Sequence, residues 1–116
     1  LFAWLKALYP VWANLTPDMV RTSSKLAMAE LLLSGCTTTT DHHYVFPSGH
    51  EHAIDAQVQS ACDLGMRTVL TRGSMSLSVE DGGLPPKSVV QSEDTILAKG
   101  TTFTPLKTRR FILYDS

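Results

Sequence analysis

Near the middle of the sequence, Asp41, His42, His43 and Tyr44 place a carboxylate, two imidazoles and a phenol side by side, with His50 and His52 shortly after. Such a set can hold a metal ion, move protons, or hydrogen-bond a planar heterocycle. The geometric demands of these uses differ. A metal centre needs several donors converging on one point. Adjacent strand residues point to opposite faces, so His42 and His43 cannot both reach one ion unless the chain bends. His50 and His52 have HxH spacing, but they fall in a loop or at a helix start. The histidines of this chain are therefore not expected to build a metal site. Arg72 lies at the end of a second β-rich run, where its planar fork could clamp a carbonyl or an anion. The plainer alternatives are a surface ion pair for Arg72 and backbone-bonded loop residues for His42 and His43.

The flanking pattern says which elements position these residues. Phe2 to Ala13 carries Phe2, Leu5, Leu8, Tyr9 and Trp12 at three- and four-residue steps, a helical face that Pro10 must bend or end. Trp4, Tyr9 and Trp12 form an aromatic stripe that could close over a ligand or simply pack. Thr16-Pro17-Asp18 is a helix start, with a capping hydroxyl, a proline at the first helical position and an acidic first turn. The spacing predicts a helix from Pro17 to Ser34. Val20, Ala27 and Leu31 line its inner face, Leu26 and Leu33 widen it, and Gly35 supplies the left-handed residue beyond it. Cys36 to Asp41 reads as a strand rich in threonine, and His42 to Gly49 as a loop. A helix follows from about His52 to Leu64, with Ile54, Val58, Ala61 and Cys62 inward and Gly65 as its stop. Met66 to Thr71 reads as a second strand, Arg72 to Pro86 as a long loop, and Val89 to Ala98 as a third helix.

Helices alternating with short strands are the mark of βα units around a parallel sheet. In such folds ligands bind at the C-terminal ends of the strands, where Asp41 to Tyr44 and Arg72 fall. Two parallel strands are too few for a covered sheet, so more sheet is expected than these runs supply. From Lys99 onward the helical pattern breaks and no βα continuation is evident.

Bulk properties exclude several functions. The 116 residues carry a net charge of -1, with 43% hydrophobic and 18% charged residues. That composition can form a core and provides no field to attract nucleic acid or an anionic membrane. No apolar run approaches the roughly 20 residues of a membrane span. Cys36 and Cys62 lack metal-site spacing and disulfide density, which suits a reducing cytoplasm. The apolar start at Leu1 reads as a cut edge within a longer protein.

The segment Ala29-Glu30-Leu31-Leu32-Leu33-Ser34-Gly35-Cys36-Thr37-Thr38-Thr39-Thr40-Asp41-His42-His43-Tyr44 resembles the ATZ/TRZ and cytosine-deaminase-like branch of the amidohydrolase superfamily. So do Phe2 to Trp12, Thr71 to Leu77 and Gly82 to Pro86, and the likeness runs from about Leu1 to Ala98. The resemblance implies a partial (β/α)8 TIM barrel of class α/β, its parallel βα units corresponding to about the second and third. It also implies that the complete enzyme uses zinc or iron to activate water, and deaminates a purine, pyrimidine or triazine-type ring. The family's metal histidines, metal aspartate and acid/base glutamate have no match here, so no catalytic residue, metal ligand or bound metal is expected in this chain alone. His42, His43, Tyr44 and Arg72 are expected to contact a small heterocyclic substrate. Residues 1–98 are then a barrel segment and residues 99–116 a divergent tail, with a frame shift as the working hypothesis. The competing expectation is a stand-alone α/β binding or interaction protein that forms homo-oligomers through an open sheet edge.

Overall fold

A computed structural model describes residues 1–100 and 111–114, with side chains described for residues 1–98. The order is α1 (Phe2–Trp12), α2 (Pro17–Leu33), β1 (Thr38–His43), α3 (Ala53–Leu64), β2 (Arg67–Arg72), two short 3-10 turns (Val79–Asp81 and Lys87–Val89), α4 (Glu93–Gly100) and β3 (Phe111–Tyr114). The strands form one parallel sheet in the order β1-β2-β3, an α/β arrangement as expected.

Helix α2 forms where its termination signals place it. The Thr16 hydroxyl accepts from the Met19 N–H at 3.3 Å, and Pro17 opens the first turn, where no donor is wasted. At the other end Gly35 has φ of 88°, and the N–H groups of Cys36 and Gly35 return to the carbonyls of Leu31 and Leu32. That paired closure turns the chain directly into β1. Gly65, with φ of 69°, ends α3 similarly, the Met66 N–H donating to Ala61 O at 3.0 Å.

Helices α2 and α3 pack together beside the sheet. The fully buried Ser60 hydroxyl lies 3.0 Å from Arg21 O and 2.8 Å from Ala56 O, joining the two helices where they touch. Outside this contact, Asp63 on α3 meets Arg21 at 3.0 Å and Lys25 at 2.5 Å on α2. Bonds from Lys25, Gln59 and Arg21 hold the Asp63 carboxyl far below the ordinary carboxylate range. One end of the layer is filled by Met28, Ala61 and Met66, the other by Val20, Phe46, Ala53 and Ile54. A third cluster of Tyr9, Val45 and Val89 ties α1 to the strand-end loops.

Several boundaries and faces differ from the sequence expectation. Strand β1 runs to His43, so His42 and His43 are strand residues, because the ladder to Thr71 and Arg72 continues past Asp41. On α2, Met28 is buried while Leu26 and Leu33 are 63% and 89% exposed, since α3 and the sheet cover a narrower stripe than the apolar residues mark out. Helix α1 passes through Pro10 to Trp12. Helix α4 begins only at Glu93, capped by Ser92, whose Oγ accepts from the Thr95 N–H at 3.2 Å; Val89 is instead buried in a 3-10 turn. A third parallel strand stands at Phe111–Tyr114, where no continuation was evident. Residues 101–110, 115 and 116 of the expected 99–116 tail lie outside the described residues.

Candidate ligand-facing site at the strand ends

Parallel pairing sets Asp41 beside Leu70, His42 beside Thr71 and His43 beside Arg72. Alternation then divides these residues between two faces of the sheet. Asp41, His43 and Arg72 share the face covered by helices. Asp41 accepts from the Gln57 side-chain amide of α3, and the His43 ring meets Phe46 edge-on with centroids 4.9 Å apart. Arg72 is 3% exposed, its guanidinium 4.2 Å from the Phe46 centroid, with donated bonds to Gln91 Oε1 at 2.7 Å and Gly73 O at 3.2 Å. A cation so placed is satisfied by ring and carbonyl oxygens.

His42 lies on the opposite face. Its Nδ1 is 2.7 Å from Thr71 Oγ1, which is itself 3.3 Å from the Asp41 carbonyl oxygen. The Tyr44 ring follows at 5.8 Å from the imidazole, tilted by 32°, and touches Trp12 of α1 edge-on at 6.2 Å. Trp12 in turn meets Trp4 and Tyr9 edge-on at 5.6 Å. The aromatic stripe of α1 is thus continuous with the strand-end residues. Beneath them sits Gly73: a Cβ there would come within 2.6 Å of His42 Nε2 and 2.8 Å of Tyr44 Cβ. Sequence reading passed over Gly73, although a glycine directly after a strand-end arginine signals close backbone approach.

The loop from Ser74 to Gln91 is built rather than slack. Ser78 and Asp81 cap each other, with the Ser78 hydroxyl donating to Asp81 Oδ2 at 2.6 Å, and the Gln91 N–H returns to Met75 O at 2.9 Å. Ser48 reaches Ser88 O through its N–H at 2.9 Å, locking this loop to the one after β1.

Of the four residues expected at a ligand, the structure brings His42 and Tyr44 together on one side and His43 and Arg72 on the other. Among the described residues, no three of His, Cys, Asp and Glu are grouped to hold a metal ion. His52 instead pairs with Asp55 at 3.3 Å. Among the described residues these donors do not converge on one point, so they do not fit a metal centre. Nor is any helix of the described residues long and apolar enough to cross a membrane.

Burial makes His43 sensitive to acid. Loss of solvation lowers its pKa below the ordinary 6.5, with Arg72 and His42 acting in the same direction against the Val45 backbone and Asp41. Its Nε2 is buried without a hydrogen-bond partner. The unfolded chain takes up this proton first, so stability is complete above about pH 6.5 and falls as pH drops toward the lower folded value. Melting temperatures of the chain and of His43→Phe between about pH 7.5 and 5 should show the chain losing stability more steeply than the variant. Parallel slopes would remove His43 from this account. Asp63 titrates at much lower pH and does not enter this window.

No protein-family model matches the chain. Over 98 residues, 84% of the chain, it is 63% identical to the 8-oxoguanine deaminase of Pseudomonas aeruginosa. It is 37% identical over 99 residues to the hydroxydechloroatrazine ethylaminohydrolase of Pseudomonas sp. strain ADP. The segment is amidohydrolase-family sequence. Solved structures agree: a triazine hydrolase from Arthrobacter aurescens superposes with a TM-score of 0.79 at 27% identity, over 97% of this chain and 27% of that one. An atrazine chlorohydrolase from the same organism, complexed with zinc, gives 0.70 at 28% identity, over 87% of this chain and 23% of the other. The amidohydrolase segment spans 22% and 21% of the two curated relatives.

Proposed function

We propose that this chain supplies about the second and third βα units of a metal-dependent (β/α)8 hydrolase that cleaves carbon–nitrogen bonds other than peptide bonds. In that enzyme it deaminates a purine, pyrimidine or triazine-type ring. The observation that carries the reading is the 63% identity to 8-oxoguanine deaminase, which spans the strand-end residues and the loops around them. His42 and Tyr44 line the ligand's side of the sheet, while His43 and Arg72 hold the loops from beneath. Zinc or iron belongs to other parts of the barrel, where it would lower the pKa of the attacking water. On this reading the isolated chain, which spans only 22% and 21% of the two curated relatives, turns over no substrate.

A chimera tests this directly. Exchanging the aligned segment of the Pseudomonas aeruginosa enzyme for this one should preserve ammonia release from 8-oxoguanine, and His42→Ala in the chimera should reduce kcat/KM by about 10–100-fold. A folded chimera without deaminase activity would overturn the assignment. A second reading, an α/β interaction module that oligomerises through its sheet edge, draws on one observation: β1 is the outer strand of the described sheet, with Thr38 and Thr40 exposed. Light scattering of the isolated chain decides it, a discrete folded oligomer favouring the module and a monomer favouring the barrel segment.

A further inference from the structure

His42 has two ring nitrogens in different surroundings, and the difference sets what the ring can recognise. We propose that Thr71 is a positioning residue that fixes His42 with its proton on Nδ1, so that Nε2 offers a lone pair to a ring N–H of the ligand. The inference rests on the reading that His42 and Tyr44 face the ligand.

The argument is a proton count. Thr71 Oγ1 lies 2.7 Å from His42 Nδ1 and 3.3 Å from the Asp41 carbonyl oxygen. The hydroxyl has one proton, and the carbonyl oxygen can only accept. Were Nδ1 unprotonated, two acceptors would compete for that single proton. With Nδ1 protonated, the imidazole donates to the hydroxyl and the hydroxyl donates to Asp41 O, so both contacts are hydrogen bonds. A neutral imidazole then carries its lone pair on Nε2.

Two features leave that lone pair for a ligand. His42 is exposed, and Gly73 places no side chain against the Nε2 edge, where a Cβ would intrude to 2.6 Å. The Tyr44 ring, tilted 32° to the imidazole, provides an apolar wall beside which a flat ring can lie. The ligand class is a planar heterocycle in its lactam form, with a ring N–H next to a carbonyl. A ring alkylated on that nitrogen has no donor to offer.

The readout is the 15N spectrum of the full chain with labelled histidines at neutral pH. His42 is expected to show a protonated, pyrrole-type Nδ1 and a pyridine-type Nε2. Thr71→Val keeps the side-chain shape without the hydroxyl and should shift His42 toward the Nε2-protonated tautomer, whereas Thr71→Ser should restore the original pattern. A pyridine-type Nδ1 in the unaltered chain would overturn the proposal even if Thr71→Val failed to fold, as would an unchanged tautomer in a folded Thr71→Val. In the chimeric deaminase, Thr71→Val should raise KM for 8-oxoguanine about tenfold with kcat little changed, and Thr71→Ser should reverse it. Unchanged KM in an active chimera would also count against Thr71. An inactive chimera defeats the functional reading and leaves the tautomer measurement standing.

Discussion

Replacing Phe46 by alanine should lower the unfolding free energy of the chain by about 3–5 kcal/mol, the largest stability effect expected for a single residue here. Phe46 is 1% exposed and belongs to no helix or strand, yet three layers meet on it. Its apolar neighbours are Val20 from α2 and Ala53 and Ile54 from α3. Its ring also supports the His43 imidazole edge-on and lies under the Arg72 guanidinium. Truncation therefore opens a cavity and strips a buried cation of its aromatic partner. Phe46→Leu keeps most of the apolar volume and loses mainly the ring interactions, so it should cost about 1–2 kcal/mol. Urea denaturation of both variants measures the difference. A loss below about 1 kcal/mol for Phe46→Ala would mean that the cluster collapses around the gap and that Arg72 finds other support.

The second large effect is expected at Gly73, and it falls on function. Gly73 does not have a positive φ, so the obstacle to alanine is its Cβ, which would overlap His42 Nε2 and Tyr44 Cβ. The imidazole can swing aside; the Tyr44 Cβ can move only with its backbone. Gly73→Ala should therefore cost about 1–3 kcal/mol of stability and displace the His42–Tyr44 pair by a few tenths of an ångström or more. In the chimeric deaminase, kcat/KM should fall by about 100-fold, the usual consequence of a misplaced ligand-facing group. Gly83→Ala is the control, because its Cβ would strike the Leu77 carbonyl oxygen in the loop, away from His42. Equal activity losses in the two variants would trace the effect to loop stability, and retained activity in Gly73→Ala would remove His42 and Tyr44 from the ligand surface.

What the sequence disclosed followed the range of the forces involved. Thr16, Pro17, Gly35 and Gly65 act on their own backbone within a few residues, and they mark α2 and α3 to within a residue. The parallel sheet was legible from alternation of elements and the place of β1 from the threonine run, but β1 begins and ends two residues later than the run suggests, at Thr38–His43. Faces were not, because they depend on pairing. Only the register His43↔Arg72 reveals that Arg72 shares the helix-covered face, and only the width of α3 decides that Met28 is inside and Leu26 outside. Ser92-Glu93-Asp94-Thr95 was a readable helix start, masked by the apolar Val89 and Val90 before it.

The four consecutive threonines, Thr37 to Thr40, have a consequence for how β1 finds its place. Sliding this tract by one position replaces threonine with threonine, so the repeated part of the strand cannot distinguish correct from shifted alignment. Alignment must be imposed from the two ends of the tract. At one end Arg67 Nη2 donates to the Thr37 hydroxyl at 2.7 Å; at the other stand the Asp41–Gln57 and His42–Thr71 pairs. A one-residue slip would bury His42 among the helices and turn Asp41 and His43 outward. His42, proposed to face the ligand, thus also serves with Asp41 as the ruler against which a featureless strand is measured.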